Sequence, residues 1–411
     1  MPAPPLDLDY VRSQFPALMR GQLYFDNGGG TQVAGAVIGR AVDYLMNMNV
    51  QPVSSAGGVA AKAAAQLLDA RRRLAAWIHA ESDQEIILGA STTLLLRLLS
   101  ESFAKTLAPG DEIIVTDFDH EANIGPWDRL RAIGVKIRTW RVRTPAYSVA
   151  IDDLNELLSD RTRLVCVSHC SNVFGTLNPV AEIADAVHRV GAKLCVDGVA
   201  FAPHREVDVQ RLKADFYVIS LYKTFGPHYA LLYGKRAILR QLPGLNHFFI
   251  DEDTIPYKLQ PGGVIFELAY AATGIVDYLD RLGERMTTFT DRAEWRRAAY
   301  AGIAAHEQLL TGNLLAFLNE RSDVIVLGNR RSDAALRIPV VSFVVNGRDS
   351  REIARQVGER GISLRCGDFY MHRYYHEHGL DAYHGILRVS LAHYNSVGEV
   401  DQLIAALTSV L

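Results

Sequence analysis

Between residues 60 and 240 the spacing of hydrophobic positions switches repeatedly between two periods. Leu67, Leu68, Leu74 and Ile78 recur at helical spacing and predict a helix over 63–79. A second helical stretch starts near Ser91 and runs to Leu107, ahead of the Pro109-Gly110 break. EIIVTD (112–117), RLVCVSH (163–169), KLCVDGV (193–199) and DFYVISL (215–221) are short apolar or β-branched runs with polar exits, the pattern of buried strands. A helical pattern, PVAEIADAVHRVG, joins the second of these to the third. Strands alternating with helices predict an α/β fold around a mostly parallel sheet covered on both faces. Ligands of such sheets sit outside the carboxyl ends of the strands.

The last part of the chain has a different rhythm. A long helical stretch near 284–320 precedes a strand at IPVVSFVVNG (338–347) and a helix at 350–360. Short strands follow at ISLRC and LRVSLAHYN, then a closing helix introduced by the capping-box pattern Ser396-Val397-Gly398-Glu399. These elements predict a smaller α+β domain. The expected division is a large domain over 20–285 and a small domain over 286–411, with 1–19 packing near the latter.

Composition narrows the class. The 411 residues are 49% hydrophobic and 22% charged, which fits a globular protein and excludes a disordered one. With 43 Lys+Arg against 46 Asp+Glu, the net charge of -3 gives no reason to expect nucleic acid or an anionic membrane as partner. No apolar run approaches the ~18 residues that span a bilayer. The opening MPAPPLDLDY lacks the basic start and apolar block of a signal peptide, so a cytoplasmic protein is expected. Four cysteines are too few for a disulfide framework, and Cys166, Cys170 and Cys195 read as core residues. CVSHC (166–170) has no second cluster to complete a metal site, and no metal is expected.

Candidate chemistry lies at the strand exits. Asp197 falls just past one strand and Lys223 just past the next, followed by the turn Gly226-Pro227. Upstream, GASTTLLLRLL places hydroxylic residues at a helix start, where free N–H groups and the dipole favour a phosphate. A lysine to form a Schiff base, a carboxylate to keep a pyridinium protonated and a phosphate cup are what pyridoxal phosphate needs from a protein. Each element alone has a plainer reading: a solvated lysine, an Asp-Gly turn, an N-cap. Their conjunction on consecutive strands is what points to the cofactor.

The segments YFDNGGG, STTLLLRLL, DHEANIGPW, SHCSNVFGTLNPV, VDGVAFAPHREVDV, SLYKTFGPH and LRVSLAHYN resemble successive blocks of the class V aminotransferase, or cysteine desulfurase-like, family, from near residue 24 to near residue 400. The resemblance implies a fold-type-I enzyme dependent on pyridoxal 5'-phosphate, acting as a homodimer with shared active sites on a small amino-acid substrate. By position it implies that Lys223 carries the cofactor and shuttles the Cα proton, that Asp197 pairs with the pyridinium nitrogen, and that His120 stacks on the ring with Asn172 near its hydroxyl. Thr92, Thr93, Ser220 and Tyr222 would line the phosphate. Arg388 would take the substrate carboxylate as a bidentate fork, with Arg365 and Asn27 on the substrate side. His120 as a surface-loop histidine and Arg388 as an interdomain salt bridge are the plainer alternatives.

Departures from the family pattern reshape the substrate side. The mobile-loop cysteine of persulfide-forming desulfurases corresponds to Tyr370 in LRCGDFYMHRYY, with Cys366 four residues too early. Ala200 stands for a common glutamine, Tyr222 for the histidine before the lysine, and Ser54 for a common arginine. Gly263 replaces a threonine that the partner subunit often offers to the phosphate, leaving only its backbone N–H. A sulfinate or carboxylate on Cβ needs no thiol acceptor, since it departs as SO2 or CO2. The expected activity is therefore a lyase at the β-carbon of aspartate or cysteine sulfinate. An aldehyde co-substrate could capture the carbon nucleophile left behind, as in the decarboxylative aldolase branch known from ustiloxin biosynthesis, which STTLLLRLL, YKTFGPH and Asn246-His247-Phe248-Phe249 resemble. The alternatives are a cysteine desulfurase or selenocysteine lyase using Cys366, an aminotransferase or epimerase, and a non-catalytic binding module.

Overall fold

The computed structural model of the chain describes residues 5–411; Met1–Pro4, the start of the MPAPPLDLDY stretch, lie outside the described residues. Seven strands form the large sheet: β1 (Ile86–Gly89), β2 (Glu112–Thr116), β3 (Lys136–Trp140), β4 (Thr162–Ser168), β5 (Lys193–Asp197), β6 (Phe216–Ser220) and β7 (Ala230–Gly234). Their spatial order is β1-β7-β6-β5-β4-β2-β3, with β7 alone antiparallel to its neighbours. The four expected strands are β2, β4, β5 and β6. The edge strand β3 was not expected because Lys136, Arg138 and Thr139 interrupt its two buried residues, Ile137 and Trp140, and leave no continuous apolar run.

Alternation along the central strands feeds two cores. Val165, Val167, Val196 and Ile219 enter one, while Leu164, Cys166, Cys195 and Val218 enter the other. With both faces buried, the strands read as unbroken apolar runs, and Cys166 and Cys195 are core residues, as expected. The expected helices form as Gly58–Trp77, Thr92–Ala104 and Val180–Arg189, and the Ser91 hydroxyl accepts from the Leu94 N–H at 3.2 Å to cap the second.

One expectation needs correction. The helical stretch expected near 284–320 begins later, as Arg292–Asn319, and a separate helix that was not expected, Phe266–Glu284, precedes it. Between them Thr287, Thr288 and Thr290 are poor helix formers, and Asp291 caps the second helix by accepting from the Ala293 and Glu294 N–H groups. The expected domain division at 285 falls in this gap.

Past it, Arg365–Gly367, Ile386–Ser390, Val340–Val345 and Val324–Leu327 lie side by side as an antiparallel sheet. The ISLRC run splits: Ile362–Ser363 pairs in parallel with Leu23–Tyr24, and Arg365–Gly367 joins the antiparallel sheet. The segment that carries FDNGGG is thereby fastened to the C-terminal part of the chain. The closing helix Val397–Val410 has its capping box, with Ser396 and Glu399 exchanging side-chain to backbone hydrogen bonds of 3.0 and 3.1 Å. Among the described residues no helix is long and apolar enough to cross a membrane.

A close helix contact sets Gly274 against the helix Gly35–Asn47, where an added Cβ would lie 2.5 Å from the Val37 nitrogen. Alanine has the higher helix propensity by about 1 kcal/mol. A clash with backbone costs more, because neither helix can yield locally. Gly274→Ala is therefore expected to lower stability by a net ~1–3 kcal/mol in urea unfolding, and a more stable variant would contradict this packing.

Candidate active site

The site forms at the carboxyl ends of β4, β5 and β6, where the parallel strands deliver their polar exits. Asp197 ends β5, and Lys223 closes the short turn Leu221–Lys223 after β6. The glycine after Asp197 is dictated by space: a Cβ on Gly198 would lie 2.0 Å from the Tyr217 ring. Asp197 is buried, and its Oδ1 accepts from the Val199 N–H at 2.9 Å. No salt bridge reaches it among the described residues, and burial pushes its carboxyl up to about 6. Lys223 is pulled down to about 8, by burial first and then by the nearby charge of Arg388.

His120 lines the same cavity as Thr92, Asn172, Asp197 and Lys223. Its Nδ1 accepts from the Ala122 N–H at 3.1 Å, which leaves the proton of the neutral ring on Nε2. Burial, reinforced by Lys223 and Arg388, drives its pKa down to about 3. The ring is uncharged at any working pH and stacks against Tyr370 at 4.8 Å. Asp119 sets this loop: its buried carboxylate accepts from Ser168 Oγ at 2.7 Å and Asn123 Nδ2 at 2.8 Å.

The other expected residues divide. Asn172 lines the cavity and donates from Nδ2 to the Phe369 carbonyl at 3.0 Å. Ser220 is buried at the end of β6, and Tyr222 stacks on His228 at 4.7 Å with Lys223 Nζ 5.8 Å from its ring. Thr93, one residue further round the helix than Thr92, faces a neighbouring chamber instead. Gly263 lines a separate 450 Å³ cavity, and its N–H donates to the Gln260 carbonyl at 2.9 Å. Asn27 is buried. Its amide donates to the Ser390 carbonyl at 2.8 Å and to Asn395 Oδ1 at 3.2 Å, and its oxygen accepts from the Tyr394 hydroxyl.

Arg388 is buried, and its guanidinium reaches Asp26 Oδ1 at 2.8 Å and the Asn172 carbonyl at 3.2 Å, over the Phe369 ring at 3.9 Å. Its Nε has no partner, so one buried donor is left for a ligand. Asp26, which the sequence reading passed over, also lies 3.7 Å from Arg365. Its signal was the triple glycine beside it: a Cβ on Gly28 would sit 3.2 Å from Arg388 Cζ, and one on Gly29 would sit 2.6 Å from the Asp26 carboxylate. Cys366 lies elsewhere, its Sγ 3.7 Å from the His384 carbonyl, and burial pushes its thiol up to about 11.

The donor set fits pyridoxal phosphate. Asp197 lacks the cation that a buried carboxylate needs, which a pyridinium N–H would supply. His120 offers a flat neutral face, Lys223 an amine, and the start of the Thr92–Ala104 helix an anion site. Asp197 also makes the cofactor-free protein sensitive to pH. Its folded pKa of about 6 exceeds the unfolded value of ~3.9, so the folded state holds an extra proton between them. Stability from this group is therefore full below pH ~4 and falls by about 2–3 kcal/mol as pH rises through ~6. In urea titrations of apoprotein, Asp197→Asn is expected to flatten that decline, and an unaltered slope would contradict the burial assigned to this carboxylate.

The sequence profile of the family described as aminotransferase class-V matches residues 23–403. The aminotransferase-like protein FGM3 of Gibberella zeae is 39% identical over 412 residues, covering 98% of both chains. The cysteine desulfurase-like protein ustD of Aspergillus flavus is 36% identical, covering 99% of this chain and 91% of its own. The crystal structure of the cysteine desulfurase CsdA of Escherichia coli superposes with a TM-score of 0.83 at 25% identity, covering 98% of this chain and 99% of that one. With the lysine, the aspartate and the sheet in the places described, the chain belongs to the class V aminotransferase family of pyridoxal-phosphate-dependent enzymes.

Proposed function

We propose that the enzyme removes a carboxylate or sulfinate from the β-carbon of a small L-amino acid, aspartate or cysteine sulfinate, and that an aldehyde captures the carbon nucleophile so formed. The observation that carries this reading is the ring of Tyr370 against His120, where a desulfurase needs a thiol. Three of the four cysteines are buried in the core, and Cys366 is turned to His384 with its thiol held protonated. A nucleophile must be both ionised and in reach; Cys366 is neither. The likeness to a cysteine desulfurase-like relative supports the β-carbon as the reacting centre.

Bound pyridoxal phosphate supplies an electron sink for charge developing next to the amino group. The chain's own residues do the rest. Arg388 holds the α-carboxylate with its forked donors, its free Nε being the one buried donor still to be satisfied. Lys223, at about 8, is neutral often enough near neutrality to take a proton from Cα and return it. His120 presents Nε2–H as a donor without carrying charge. The β-carboxylate leaves as CO2 with its bonding pair retained on Cβ. Cβ then bonds the aldehyde carbon, and the aldehyde oxygen takes a proton to become a hydroxyl; a proton at Cβ gives alanine instead. Phe369, buried against Arg388, limits the water that would deliver that proton. A homodimer belongs to the same proposal, supported by the exposed Ile38, Val42, Leu45 and Met46 along the helix Gly35–Asn47.

Purified holoenzyme given L-aspartate, L-cysteine sulfinate or L-cysteine separates the readings. CO2 or sulfite is expected at least about tenfold faster than sulfide in kcat/KM. Cys366→Ser is expected to change turnover by less than about twofold, and Lys223→Ala to abolish both turnover and the visible cofactor band. Dominant sulfide release that disappears in Cys366→Ser would replace this proposal with the desulfurase reading. Arg388→Lys, which keeps the charge but loses the fork, is expected to raise KM for the amino acid by roughly 10–100-fold, measured by initial rates; an unchanged KM would leave Arg388 as only a partner of Asp26.

A further inference from the structure

Beside the cofactor cavity lies a larger chamber of about 420 Å³, inside the ~300–1,000 Å³ range of small-molecule sites. The two share His120 and Ala122 as a common wall, so an occupant of the chamber is one side chain away from the cavity that holds Lys223. Its outer wall is fixed. The Glu121 N–H donates to the Tyr370 carbonyl at 2.9 Å, and Arg373 forks onto the Glu121 carboxylate at 2.9 and 3.0 Å. Tyr370, 62% exposed, lines the chamber on one side, and Pro126 offers a second apolar surface.

The charges on this wall do not balance. Glu121 is committed to Arg373, and Asp128 to Arg131 at 2.8 Å and Arg373 at 3.6 Å. Arg97 and Arg129 also line the chamber, and neither has a carboxylate partner among the described residues. Two uncommitted guanidinium forks suit a planar anionic group. The first substrate's α-carboxylate does not need them, because it falls to the buried Arg388, which is not part of this chamber, and an ion pair on its β-carboxylate would oppose the loss of CO2.

Resting on the proposed carbon–carbon bond-forming reaction, we infer that this chamber is the site of the second substrate and selects an aldehyde bearing a carboxylate. The aldehyde carbon lies toward His120 and forms the bond to Cβ, its C=O π pair moves to oxygen and takes a proton, and the distant carboxylate stays unchanged against Arg97 and Arg129. Tyr370 stacks on a flat body between the two ends.

The test uses holoenzyme and unreactive alcohol analogues in titration calorimetry: para-carboxybenzyl alcohol against para-carbamoylbenzyl alcohol, equal in shape and different in charge. The acid is expected to bind about tenfold more tightly than the amide. In the Arg97→Gln/Arg129→Gln double variant, with the cofactor spectrum retained, that preference is expected to shrink to about twofold or less and to lose its salt dependence. Equal binding of acid and amide by the wild type, or a preference that survives the double variant, overturns the inference. Aspartate-dependent consumption of para-carboxybenzaldehyde is followed in parallel. If it fails while the charge preference persists, the reaction assigned to the enzyme falls and the anion-selective chamber stands.

Discussion

A guanidinium held away from water must find a counter-charge, and the pairing of Arg388 with Asp26 at 2.8 Å organises much of the structure around it. The two residues come from opposite ends of the chain, one on the strand Ile386–Ser390 and one just after Leu23–Tyr24. Bringing them together requires the parallel pairing of Leu23–Tyr24 with Ile362–Ser363, and it requires that Gly28 and Gly29 have no side chains to collide with the pair. Asn27, between them, spends its amide on Ser390 and Asn395 and so locks the same junction. The interdomain salt bridge and the substrate-binding arginine, which from the sequence were alternatives, are thus compatible. Asp26 keeps the guanidinium in place, and Nε is left over.

A second constraint is desolvation at the strand ends. Burial lifts Asp197 and lowers Lys223, so their pKa values of about 6 and about 8 lie far closer than those of free side chains. Neither residue is comfortable alone. A cofactor with a protonated ring nitrogen and an aldehyde answers both needs, which is why the polar residues persist where the flanking strands are largely apolar. His120 completes the arrangement by being neutral. A charged ring there would be buried and would face both Lys223 and Arg388, and burial first and those two cations second hold its pKa down to about 3.

What was legible in the sequence follows from locality. Asp197, Lys223 and the Ser91 cap announce themselves because each ends or begins an element whose period is visible within a dozen residues. The helix break at 285–291 was missed because apolar spacing continues across it, while the Thr-rich gap and Asp291 act only through backbone preferences. The site's electrostatics were least legible. Asp26 and Arg388 lie 362 residues apart, and the Glu121–Arg373 bridge spans 252. Orientation within one short strand was hidden too: Arg365 approaches Asp26, while Cys366 next to it reaches the His384 carbonyl. One residue of pleat decides which of them can meet a substrate.

The strap over the site links these constraints to the choice of reaction. Phe369 and Tyr370 both have positive φ, +52° and +60°, a costly conformation for side chains of this kind. Such strain persists only where neighbours over-determine it. Here Asn172 binds the Phe369 carbonyl, Glu121 binds the Tyr370 carbonyl, and Asp368 Oδ1 accepts the Tyr370 N–H at 3.1 Å. The result sets Phe369 beneath Arg388 and Tyr370 against His120, two aromatic rings on the segment that the sequence aligns with the cysteine of persulfide-forming desulfurases. A rigid apolar strap is a poor sulfur acceptor. Under the proposed reaction it suits a reactive carbon that must meet a second carbon, because the Tyr370 ring would form part of the wall against which the second reagent is held.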